Sequence, residues 1–90
     1  MNTNSLDHPS LNEVQRANPE TALIRIQDVS ALTGLNRVTI YKRIASDPTF
    51  PRQVPLSDSK ARGAPVGFVL AEVQAWCSAR IAKRDQEAQA

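Results

Sequence analysis

A mainly α chain with a small β-hairpin is predicted by three features of these 90 residues. Residues 27–46 (QDVSALTGLNRVTIYKRIAS) read as two short helices joined by a tight glycine turn. Two strand-like runs, residues 53–57 and 66–69, flank a polar stretch rich in turn formers. From Leu70 onward, Val73, Trp76, Cys77 and Ile81 recur at helical spacing and make the apolar stripe of a further helix. Together they predict a winged helix-turn-helix: three helices, a minor strand before the first, and a two-stranded wing.

The chain opens on residues 1–20, which are polar and carry Pro9 and Pro19. This stretch is expected to be a flexible arm in which Leu11, Val14 and Arg16 form a turn of helix at most. His8 reads as an exposed arm residue, because no metal-site partner accompanies it. Residues 23–26 (LIRI) form a short extended piece, with Leu23 or Ile24 turned inward and Arg25 outward.

The first helix of the pair has Val29 and Leu32 apolar at helical spacing, and Asp28 in its first turn complements the helix dipole. Gly34 falls where the chain must leave that helix, a position that favours φ > 0. Leu35 can pin the turn to the core, and Asn36 is a good N-cap for the second helix, residues 37–45. Burying Ile40 and Ile44, one turn apart, points Val38, Thr39 and Lys42 away from the core and leaves Arg37, Tyr41 and Arg43 at the flanks. Asp47-Pro48 should end this helix, since the residue before proline avoids the helical region. Phe50 is expected to plug the core.

The wing pairs residues 53–57 with 66–69 around residues 58–65, whose loop carries Lys60 and Arg62, with Arg52 near its base. Pro55 suits an edge strand, where its missing N–H is harmless. The last helix is predicted over residues 70–84. Glu72 lies near its start and Arg80, Lys83 and Arg84 near its end, as the dipole favours. Trp76 belongs to its apolar stripe, Cys77 reads as a small buried hydrophobe, and residues 85–90 should fray. One modest aliphatic core in a domain of this size suggests a stability of about 5 kcal/mol.

Formal charge is only +2, but it is unevenly spread. Residues 21–84 hold ten Lys/Arg against Asp28, Asp47, Asp58 and Glu72, and both ends are acidic. A basic body suits a polyanion, because cations near phosphates release condensed counterions. The outer face of the second helix has the chemistry of a major-groove reader: cations reach guanine acceptors or phosphate, and Thr and Val touch thymine methyls. Arg37, Thr39 and Lys42 are the candidates for base edges and Val38 for a methyl contact. Tyr41, Arg43 and the wing residues Lys60 and Arg62 are the candidates for phosphates.

Catalysis would need a constellation that the sequence does not supply. The lone His lies in the arm, the carboxylates are scattered, and Gly34, Gly63 and Gly67 are isolated rather than gathered into a phosphate loop. One Cys and one His make neither a disulfide nor a zinc site. The reading is of a non-enzyme with no cofactor, no metal and no small-molecule substrate. Residues 1–10 lack a basic stretch followed by an apolar one, and no long apolar run occurs, so a cytoplasmic protein without a membrane partner is expected.

Three motifs in order carry a resemblance: LIRIQDVSALTGLNRVTIYKRI (residues 23–44), FPRQVPL (residues 50–56) and VGFVLAEVQAW (residues 66–76). The chain resembles the small AlpA-type phage regulators, which are related to excisionase and MerR-like winged helix-turn-helix domains. It departs from the usual pattern in a rather long wing loop containing Ala64-Pro65, and in Phe68, where the family often has Trp. The resemblance implies sequence-specific binding of double-stranded DNA as a prophage-type regulator, with control of integrase expression. A second role on the same domain is that of an excisionase, a directionality factor that bends attachment-site DNA. A reading from another class is a protein-interaction adaptor, in which the last helix or the arm contacts a partner such as an integrase. A homodimer or a cooperative array on DNA is expected, because one small domain reads few base pairs.

Overall fold

The computed structural model describes residues 8–89 and is mostly helical, with a small three-stranded antiparallel open sheet. In chain order come α1 (Leu11–Arg16), β1 (Leu23–Ile24), α2 (Ile26–Thr33), α3 (Arg37–Ser46), β2 (Val54–Pro55), β3 (Val66–Val69) and α4 (Leu70–Gln89). The architecture is that of a winged helix-turn-helix, with α2 and α3 as the helix pair and β2–β3 as the wing.

The helix pair is shaped by side chains that satisfy its own backbone. At the start of α2, Asp28 Oδ2 accepts the Arg25 N–H at 3.1 Å. The helix ends on Gly34, at φ 78° and ψ 5°, whose N–H donates to the Ser30 carbonyl at 2.8 Å. Two hydroxyls then hold the turn. Ser30 Oγ donates to the Leu35 carbonyl at 2.6 Å, while Thr33 Oγ1 donates to Val29 O and accepts the Leu35 N–H. Asn36 caps α3 by accepting the Thr39 N–H at 2.8 Å. At its far end Asp47 adopts extended backbone before Pro48. The Thr49 hydroxyl and N–H both donate to the Asp47 carboxylate and hold its pKa below the ordinary 3.8. A depressed folded pKa means that this contribution is complete above 3.8 and is lost only as pH falls through the lower folded value.

The sheet runs β1-β3-β2, with Leu23 opposite Val69, Ile24 opposite Phe68, Val54 opposite Gly67 and Pro55 opposite Val66. The strand before the first helix of the pair therefore joins the wing hairpin as a third strand, and Pro55 sits on an outer strand as its chemistry requires. Gly67 lies where the chains approach closely: a Cβ there would meet the Ile24 carbonyl oxygen at 3.2 Å.

The core gathers Ile24, Val29, Ile40, Phe50, Phe68, Leu70 and Val73, with Leu32, Leu35, Ile44 and Trp76 packed against it. Of the two candidates in β1, Ile24 turns inward and Leu23 stays exposed. Phe50 and Trp76 meet edge to face, with ring centroids 5.0 Å apart. The indole Nε1 is buried and lacks a hydrogen-bond partner among the described residues.

Two stretches differ from expectation. Residues 8–20 were expected to be part of a flexible arm, yet they carry α1 and are tied to the body; the remainder of that arm, residues 1–7, lies outside the described residues. Ser10 Oγ accepts the Glu13 N–H and Glu13 reaches back to the Ser10 N–H, a capping box that starts α1. Val14 packs against the core, and the N–H groups of Leu70 and Ala71 donate to the carbonyls of Ala22 and Pro19. His8 is not a free arm residue: its Nε2 lies 3.1 Å from Asp28 Oδ1, and its Nδ1 3.4 Å from the Gln27 amide. At the other end, helix α4 does not stop near Arg84 but continues to Gln89. Alanine-rich, glycine-free sequence lets it run on without tertiary support.

Candidate nucleic-acid interface

Helix α3 is anchored by Ile40, fully buried, and by half-buried Ile44. That fixes its rotation about its own axis. Val38 is 63% exposed and Tyr41 50% exposed, and Arg37, Lys42 and Arg43 are exposed beside them. Thr39 differs from the expectation of an outward residue: it is half-buried in the capped first turn, where its N–H bonds to Asn36. The helix thus presents an apolar group and three cations on a surface that no described element covers.

The wing loop carries Lys60 and Arg62, both exposed. Serines shape its ascending side: the Ser59 N–H donates to Ser57 Oγ and the Ala61 N–H to Ser59 Oγ. The Ala64 N–H closes a turn on the Ala61 carbonyl, and the Leu56 N–H bonds to Pro65 O at the stem.

The returning stem of the wing, from Gly63 to Val66, borders a shallow cleft of about 260 Å³ against α3 and the start of α2. Arg37 and Tyr41 line it from α3, Arg25 and Gln27 from the start of α2, and Gln53 from the approach to β2. Lys42, Arg43, Lys60 and Arg62 do not line it, so the structure divides the expected residues between a cleft, an outer helix face and a loop tip. Arg25, Gln27 and Gln53 were not singled out from the sequence. Arg25 was legible only as an outward side chain, and its neighbourhood with Arg37 is created by folding.

Among the described residues, none of these cations forms an ion pair; the pairs present are His8–Asp28 and the neighbouring Arg84–Asp85. Unpaired guanidinium and ammonium groups keep their full hydrogen-bonding capacity for an anion. Other chemistry is not assembled. No group of three or more His, Cys, Asp or Glu among the described residues could hold a metal ion. Burial raises the Cys77 pKa, and its thiol makes a weak contact of 3.8 Å to the Leu32 carbonyl, so it stays protonated at neutral pH. No described helix is long and apolar enough to cross a membrane.

The model of one protein family, described as the prophage CP4-57 regulatory protein (AlpA), matches residues 22–81. Neither a curated protein nor a solved structure matches the chain. The matched stretch runs from the residue before β1, through the helix pair and the wing, to Ile81 in α4, and so takes in every side chain of the cationic surface described above. The chain belongs to the AlpA family of prophage regulatory proteins.

Proposed function

We propose that this regulator binds double-stranded DNA sequence-specifically, with α3 laid in the major groove and the wing against the flanking backbone. The observation that carries this reading is the exposed face of α3: a short helix, rotationally fixed by Ile40 and the Gly34 turn, whose cations have no ion-pair partner among the described residues. Lys42 and Val38 stand outward at the positions from which base edges and a thymine methyl are read. Arg43, Lys60 and Arg62 hold phosphates, which set register without reading sequence. Thr39, half-buried, reads a base only from the edge of the interface. Residues 21–84 form the DNA-binding unit, and two or more copies on adjacent sites supply the specificity that a single domain lacks. The target we infer is a prophage promoter, with an integrase gene as the regulated one; membership in a family of prophage regulatory proteins supports the prophage setting.

Selection of bound fragments from genomic DNA, followed by titration at several salt concentrations, tests this. Lys42→Ala should cost about 1–3 kcal/mol on the selected site and relax preference at one base pair. Replacing Lys60 and Arg62 by Ala should weaken binding to all duplexes alike and flatten the salt dependence. Equal affinity of the wild type for every duplex, unchanged by Lys42→Ala, would reject the assignment.

A further inference from the structure

The geometry points to a phosphate seat in the cleft between α2, α3 and the wing stem, in which Arg25 and Arg37 together grip one phosphodiester group of the bound duplex. This inference rests on the DNA-binding reading and adds to it a contact outside both the outward face of α3 and the wing tip.

Arg25, Arg37, Tyr41, Gln27 and Gln53 line one concave surface, and among the described residues no Asp or Glu lines it with them. Each of those five side chains carries hydrogen-bond donors, and the two arginines add positive charge. Forked donors facing a concavity match a phosphate in shape as well as in charge. Arg37 and Tyr41 are four residues apart on α3 and so share a face, the one turned to the wing stem rather than the one bearing Lys42. Arg25 comes from the other helix of the pair and is held at its backbone by Asp28, whose carboxylate takes the Arg25 N–H. That bond fixes its main chain at the mouth of the cleft, and its side chain is left free of ion pairing among the described residues. The cleft is about 260 Å³ and opens beside the start of α3, where a duplex strand must pass if that helix occupies the groove. Arg37, expected from the sequence at a base edge, is therefore assigned to the backbone.

The test combines protein and DNA changes on the full chain. Arg25→Ala and Arg37→Ala should each weaken binding to the selected site and to random duplex by the same factor, about tenfold. Because both arginines serve one phosphate, removing both should lower the slope of log K against log[salt] by about one, and removing either alone by less than half of that. Arg25→Lys should restore the slope but only part of the affinity, since the fork is lost. Neutral methylphosphonate linkages, placed one at a time along the site, should reveal one position that weakens the wild type and leaves the double variant unaffected. Matching thermal unfolding of variants and wild type excludes loss of fold as the cause. A double variant that leaves the salt slope intact, or Arg37→Ala that relaxes preference at one base pair, overturns the seat while leaving DNA binding by α3 standing. Stabilisation of the wild type by inorganic phosphate, with no methylphosphonate position mattering, assigns the cleft to a free anion and overturns it too. A wild type without salt-sensitive binding to any duplex removes the function on which the seat rests.

Discussion

Asp28 is 5% exposed, the one charged residue among the buried ones described, and each of its oxygens has a separate duty. Oδ2 caps α2 through the Arg25 N–H, and Oδ1 meets His8 Nε2 from twenty residues earlier. Removing a buried acceptor leaves its donors unsatisfied, so Asp28→Ala should cost about 1–2 kcal/mol in urea unfolding. His8→Ala keeps the cap and should cost clearly less; an equal loss in the two variants would show that the cap contributes little. The sequence reveals Asp28 as a first-turn acid, because that role depends only on residues a few places away. Its burial and its histidine depend on where the chain before α1 comes to lie, which no local pattern encodes.

At the scale of elements, the helix-turn-helix is set by short-range chemistry. Gly34, the hydroxyls of Ser30 and Thr33, and the Asn36 cap each act over five residues or fewer. A Cβ on Gly34 would meet nothing within 4 Å, so the cost of Gly34→Ala is conformational alone: about 1–2 kcal/mol for an L-residue held at φ +78°. Chemical denaturation measures that loss directly, and an unchanged midpoint would mean that the turn relaxes to another conformation. For the same reason the turn, the cap and the inward pair Ile40 and Ile44 are legible from sequence. Helix α1 follows similar rules, and the Ser10–Glu13 capping box is its visible signal. Polar composition and two prolines outweigh that signal when the stretch is read without its packing partner, since a six-residue helix is not stable alone.

The whole molecule depends on a small core. Phe68 sits on the central strand, fully buried, with Ile24 opposite it on β1. Truncating a buried Phe to Ala costs about 3–5 kcal/mol, close to the entire stability expected of so small a domain. Phe68→Ala should therefore abolish the cooperative thermal transition followed by circular dichroism. A retained transition shifted by only a few degrees would show that the core repacks. Because β3 joins both other strands and leads directly into α4, this one change would disconnect the wing from the helix pair that it flanks.

By itself the sequence determined the helix pair, the wing strands and the start of the last helix, which face of α3 turns inward, and that the basic surplus accompanies that helix. Those properties follow from periodicity, caps and charge, whose physical range is one or two turns of chain. Only the tertiary structure decided that α1 docks, that Leu23 stays out while Ile24 goes in, and that Arg25, Arg37 and the wing stem border one cleft. Those relations join residues far apart in the chain, and they are set by how a limited amount of apolar surface is buried, not by the preference of any residue alone.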